Sequence, residues 1–159
     1  MIPRTAVRFT LLVAVIATIG CDRVTKHIAS EVLAGGEVHT YLADTIRLEY
    51  AENTGGFLGL GANLPGTWRT TLFTIATGIV LAMIAVLALR SRWHVWLLTG
   101  ACLVVAGGAS NWIDRVMRGS VIDFMNVGVG PLRTGIFNVA DVAIMAGVAC
   151  MVFARLRRD

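Results

Sequence analysis

Four stretches of about twenty mostly apolar residues leave this chain few ways to fold. A bilayer core about 30 Å thick is crossed by roughly 20 mostly apolar helical residues. Residues 8–27 are apolar up to Gly20 and polar after it. Residues 71–89 ("TLFTIATGIVLAMIAVLAL") carry no charge, and 95–113 are uncharged but turn polar and glycine-rich at their end. Residues 135–154 hold one acid, Asp141, near their start. Only 15% of the 159 residues are charged, against about 25% in soluble domains. The expected fold is a mostly α integral membrane protein. It is a single membrane-embedded domain over 1–159, a four-transmembrane-helix bundle.

Charge sets the orientation. Arg4 and Arg8 precede the first span, Arg90 and Arg92 lie between the second and third, and Arg155, Arg157 and Arg158 follow the fourth, facing only Asp159. The positive-inside rule puts these segments, and both termini, in the cytoplasm. The connections 28–70 and 114–134 then lie outside, where nine of the ten acids fall in loops or adjoining helix ends. The same distribution makes the basic tail an orientation signal, so no nucleic-acid partner is expected.

The start, "MIPRTAVRFTLLVAVIATIGCDRVTK", has the outline of a lipoprotein signal ending at Cys21. Thr18 stands where such signals usually have Leu, and three more spans follow. Cys21 is therefore read as uncut, near the outer end of a permanent helix. Cys102 and Cys150 read as buried small apolar side chains.

The first outer connection carries a second pattern. Val38, Thr40 and Leu42, then Ile46, Leu48 and Tyr50, alternate with the period of a strand pair. Residues 53–66 ("NTGGFLGLGANLPG") are rich in turn formers, and Trp68 then opens the next helix at headgroup height. A small extracytoplasmic β element in this loop is the expectation.

Ionisable groups at span ends are costly and tend to be functional. Here ionisable and other polar side chains gather at one end of the bundle: Asp22, Thr25 and Lys26; Asn111, Asp114 and Arg115; Asn138 and Asp141; and Asp123 in "GSVIDFMNV". Asn111 and Asp114 share a helix face, as do Asn138 and Asp141. Several have structural explanations: an Asp22–Lys26 ion pair, an Asp114–Arg115 anchor, and a helix cap at Asn138. Asp123 and Asp141 lie in apolar sequence without a basic partner at helical spacing. Two carboxylates sharing such a site cannot both ionise easily and titrate as a unit. One can draw a proton from water while the other protonates a scissile carbonyl.

"GGASNWIDR" (107–115), "GSVIDF" (119–124), "FNVAD" (137–141), "CDRVTK" (21–26) and "NTGG" (53–56) together resemble, in order and spacing, the motifs of the lipoprotein signal peptidase (signal peptidase II) family. The resemblance implies an aspartic endopeptidase that cuts before the lipidated cysteine of diacylglyceryl-modified prolipoproteins in the bacterial inner membrane. Its active site would lie near the outer face. It makes Asp123 and Asp141 the catalytic dyad, and Asp22, Lys26, Asn53, Gly55, Asn111, Asp114, Arg115 and Asn138 the residues that shape the site or bind substrate. The implied partners are prolipoprotein substrates and membrane lipids, with no cofactor or metal, and a monomer is expected. Ser110 replaces the usual glycine, Arg23 a common glutamine, and "GGFLGLG" a different loop motif. The competing expectation is a diverged, non-enzymatic membrane protein that binds lipid or a partner helix through its glycine-rich faces.

Overall fold

The computed structural model describes residues 4–56, 60–61, 63–90 and 93–156, with side chains from residue 8. Arg92, Arg157, Arg158, Asp159 and residues 57–59 of the recast outer-loop motif lie outside the described residues.

The element order is α1 (Arg4–Val32), β1 (His39–Tyr41), β2 (Ile46–Asn53), α2 (Gly66–Arg90), α3 (Val95–Arg118), β3 (Val121–Val129), β4 (Leu132–Arg133) and α4 (Val139–Leu156). Three helices, α2, α3 and α4, are long and apolar enough to cross a membrane. α1 spans 29 residues, and its C-terminal half carries Asp22, Arg23 and Lys26.

Each helix boundary has a local cause. Pro65 precedes α2, where its fixed φ and missing N–H do no harm. α3 stops at Gly119, whose φ of 76° suits a residue without a Cβ, and whose N–H bonds Arg115 O at 3.0 Å. α4 starts four residues later than the apolar stretch suggests. Phe137 is held extended by bridging to Met125, and Asn138 caps the helix.

α3 is the hub, packing on α1, α2 and α4. Its contact with α4 is backbone to backbone. A Cβ at Gly100 would sit 2.6 Å from Gly147 O, one at Gly147 2.6 Å from Gly100 O, and one at Gly107 2.3 Å from Ala140 O. Small residues at these points let two membrane helices approach and pack by van der Waals contact. Cys102 and Cys150 are only half-buried free thiols, a departure from the expected buried positions. The bundle is inside-out by soluble standards. Phe9, Leu12, Ile16, Ile75, Ile79 and Met83 face outward, while Asp22, Lys26, Asn111, Asp114, Asn138 and Asp141 are buried.

The β element is larger than the expected strand pair. The four strands form an antiparallel sheet in the order β1-β2-β3-β4, so both connections contribute to it. β1 is cut short because Leu42, Ala43 and Asp44 turn with positive φ before β2 begins. β3 is buried on both faces over Val121–Phe124. Phe124 packs with Ala29 and Leu33 at the end of α1, which seats the sheet on the bundle. A bulge between Leu48 and Ala51 shifts the register so that Asn53 opposes Val121 and Ala51 opposes Asp123.

Candidate active site

The first turn of α4 builds one half of the site. Asn138 Oδ1 accepts from the Asp141 N–H at 3.0 Å, and Asp141 Oδ2 accepts from the Asn138 N–H at 3.2 Å. This is a reciprocal cap of the kind Ser-x-x-Glu sequences make, here with shorter side chains. The Ala140 N–H, another donor with no partner inside the helix, bonds Asp22 Oδ1 at 2.8 Å. The remaining Asp141 oxygen, Oδ1, accepts from Asn111 Nδ2 at 2.9 Å.

β3 supplies the other half. Asp123 is 2% exposed. Its Oδ1 accepts from Asn138 Nδ2 at 2.6 Å and its Oδ2 from Asn53 Nδ2 at 2.9 Å. Asn53 reaches it diagonally across the β2–β3 ladder, on the same face of the sheet. Burial pushes the Asp123 carboxyl up to about 6; the Asn53 bond opposes that rise and the Asp141 charge adds to it. Asn138 thus touches both carboxylates, one through its backbone and one through its carboxamide.

Beneath the two acids lies a charged layer. Lys26 Nζ reaches Asp22 Oδ2 at 2.7 Å, Asp114 Oδ2 at 2.8 Å and Asn111 Oδ1 at 2.7 Å, which uses all three ammonium protons. Asp114 also pairs with Arg23, and Asp22 Oδ2 accepts from Ser110 Oγ at 2.6 Å. The structural ion pair expected between Asp22 and Lys26 is present. Asp114 does not anchor to Arg115, its neighbour along the chain; α1 supplies its partners. Arg115 turns instead to the outer loop and donates through Nη2 to Gly55 O at 2.6 Å. Gly55 is held in turn by Asn53, whose Oδ1 accepts the Gly55 N–H at 2.9 Å.

The fold therefore brings together all ten residues that the resemblance marks, while Thr25 bonds the backbone of its own helix at Cys21 O and Asp22 O. Two participants carried no clear signal. Ser110 and Arg23 stood out only as departures from a motif, yet both bond the buried acids. Ser110 lies four residues, about one turn, before Asp114, a spacing that could have drawn attention to it. Among the described residues no cluster of three or more His, Cys, Asp or Glu side chains is arranged to hold a metal ion.

Chemically, the arrangement is a pair of buried carboxyls, each accepting two hydrogen bonds from amide groups, above a charge-compensated floor. It can hold and move a proton at Asp123 near neutral pH.

Residues 14–157 match the family described as signal peptidase (SPase) II. The chain is 36% identical over 138 residues to a lipoprotein signal peptidase of Paraburkholderia phymatum, covering 86% of this chain and 81% of that one. It is 29% identical over 153 residues to a lipoprotein signal peptidase of Streptococcus pneumoniae, covering 96% and 95%. A bacterial membrane enzyme solved by the in meso method superposes with a TM-score of 0.82 at 26% identity, covering 93% of this chain and 88% of that one. The chain belongs to the signal peptidase II family.

Proposed function

We propose that this protein is an aspartic endopeptidase that removes the signal peptide from diacylglyceryl-modified prolipoproteins, cutting before the lipidated cysteine. The observation that carries the reading is the Asn138 bridge, bonded to Asp123 Oδ1 and to Asp141 Oδ2. The two carboxyls thus meet at one residue, Asp123 at its carboxamide and Asp141 at its backbone N–H.

The pair shares a proton. The ionised carboxyl takes a proton from a water as the water oxygen attacks the scissile carbonyl carbon. The protonated carboxyl gives its proton to the carbonyl oxygen, forming a neutral gem-diol. Collapse breaks the C–N bond, the leaving cysteine amine takes the proton just gained from water, and the gem-diol proton returns to the dyad. Asn53, Asn111 and Asn138 orient the carboxyls, and the Lys26 layer keeps the underlying charge balanced.

In the bacterial inner membrane α1 acts as the fourth span, its charged outer half satisfied by α3, in one membrane-embedded domain over 1–159. Both termini lie in the cytoplasm, and the site lies near the outer face, where the lipid of the substrate is anchored. The protein works as a monomer among membrane lipids.

The test is a gel-shift assay of purified protein in detergent with a lipidated prolipoprotein, its unlipidated form, and Asp123→Asn and Asp141→Asn variants. Wild type alone should cut, and only the lipidated substrate. A folded wild type inert on several lipidated substrates would remove this reading and favour a lipid- or helix-binding protein.

A further inference from the structure

Helix α2 contains a π-helical turn, Thr71–Ala76. Such turns are rare, and inside α-helices they concentrate at functional sites. This one lies beside α3 at the level of the polar cluster, and none of its residues touches either aspartate.

Thr77 Oγ1 donates to Leu72 O at 3.2 Å within the helix, and two contacts from outside it hold the turn. Trp112 Nε1 donates to Thr74 O at 2.7 Å, and the indole lies against Gly78, where a Cβ would approach Nε1 to 2.8 Å. On the other side of the turn, the Phe73 ring fills a seat made by the outer loop. A Cβ at Gly56 would lie 2.8 Å from Phe73 Cε1, and one at Gly61 2.9 Å from Cζ. The Arg115 guanidinium covers the same ring, 5.9 Å from its centroid, and bonds Gly55 O. Gly56 O in turn accepts from Asn53 Nδ2 at 2.9 Å, the amide nitrogen that also bonds Asp123.

We infer that Trp112 and Phe73 are positioning residues for the reaction: the indole fixes the π turn, the turn presents Phe73 to the loop, and the seated ring holds Asn53 against Asp123. This rests on the reading of Asp123 as catalytic. A π turn holds one more residue per turn than an α turn, so its relaxation would swing Phe73 by about 100° out of its seat. The glycines leave the ring no substitute packing partner, because neither has a side chain to follow it. Asn53 would then lose the backbone frame that aims its carboxamide.

Initial rates on a diacylglyceryl-modified prolipoprotein peptide in detergent test the relay. The chains compared are wild type, Trp112→Phe, Phe73→Ala and Gly61→Ala, each also in an Asn53→Ala background. Trp112→Phe removes the indole N–H while keeping an aromatic ring. Gly61→Ala presses on Phe73 from the loop side, together with Leu64 and a backbone held at a φ of 74°, so it reports even where Trp112→Phe fails to fold, and the Asn53→Ala background separates the relay from loop strain. Each should lower kcat roughly tenfold or more, as misplacement remote from the chemistry does, with KM nearly unchanged. None should lower kcat further once Asn53 is alanine. Wild-type kcat in folded Trp112→Phe or in Gly61→Ala, a loss confined to KM, or an undiminished loss in the Asn53→Ala background overturns the relay. An inert wild type, or an active Asp123→Asn, instead overturns the reading of the site itself.

Discussion

Asn138 and Asp141 cap one another: each accepts the other's backbone N–H through a side-chain oxygen, at 3.0 and 3.2 Å. A helix start and a proposed catalytic acid are therefore the same piece of structure, and stability and activity can be separated there by choice of substitution.

Asn138→Ala removes the cap, which should cost about 1 kcal/mol, and takes a donor from buried Asp123, which should cost about 1–3 kcal/mol more. Asn138→Asp keeps an oxygen for the cap but sets a second carboxylate against Asp123 Oδ1, now 2.6 Å from the amide nitrogen. Thermal melts beside initial cleavage rates should show the aspartate variant the more stable of the two and still strongly impaired. Near-normal cleavage by Asn138→Asp would mean that the carboxamide proton on Asp123 is dispensable.

Asp123 is held at about 6 in the folded chain, against 3.8 for the free side chain. Between those values the folded chain binds more protons than the unfolded chain, so stability falls as pH rises through the window. The shift of about 2 pH units corresponds to about 3 kcal/mol at most. Denaturation in detergent at pH 4 and pH 7.5 should show a loss in wild type that is smaller in Asp123→Asn. Equal losses in the two chains would assign the pH dependence to other groups.

Lys26 is the only side chain that touches both Asp22 and Asp114 among the contacts described. Lys26→Met keeps the length of the stem and leaves Asp22 with Ser110 and Ala140, and Asp114 with Arg23. Removing one partner of a buried ion pair costs about 3–5 kcal/mol. Chemical unfolding should register a loss of that order, with cleavage reduced because Asp22 holds the α4 start through Ala140. A melting temperature equal to that of wild type would show that Arg23 and Ser110 suffice.

Gly107→Ala tests the closeness of α3 to α4. Its Cβ would lie 2.3 Å from Ala140 O, so the helices must separate or slide. Overpacking of this kind costs about 1–3 kcal/mol, and it displaces the turn that carries Asp141. Cleavage should fall by up to a hundredfold, since shifts near 1 Å have that effect. Gly66→Ala, with nothing within 4 Å of its Cβ, is the control and should cut like wild type.

The legible parts were those fixed by local periodicity. Long apolar runs gave away α2, α3 and α4, and three- and four-residue spacings gave away the Asn138–Asp141 and Asp22–Lys26 contacts. β3 was hidden because "VIDF" is buried on both faces, so it lacks the alternation of a half-exposed strand. Its pairing with β2 depends on a bulge, which leaves no mark in the amino-acid pattern. Asp114 looked tied to its neighbour Arg115 because partners 88 and 91 residues away cannot be read from spacing. The π turn was equally silent: "TLFTIA" suits an α-helix as well, and the Trp112 bond to Thr74 O comes from a residue 38 positions away.

Asp22, Arg23 and Lys26 carry a consequence for biogenesis. They leave the ribosome with α1, long before Asp114 is synthesised. Until α3 arrives, the outer half of α1 holds charges with no acid from α3 to meet them, and it gains little by entering the lipid. The first helix made is thus completed by the third. A chain stalled before α3 leaves Arg23 and Lys26 without Asp114, so the charged floor exists only once α3 has packed against α1.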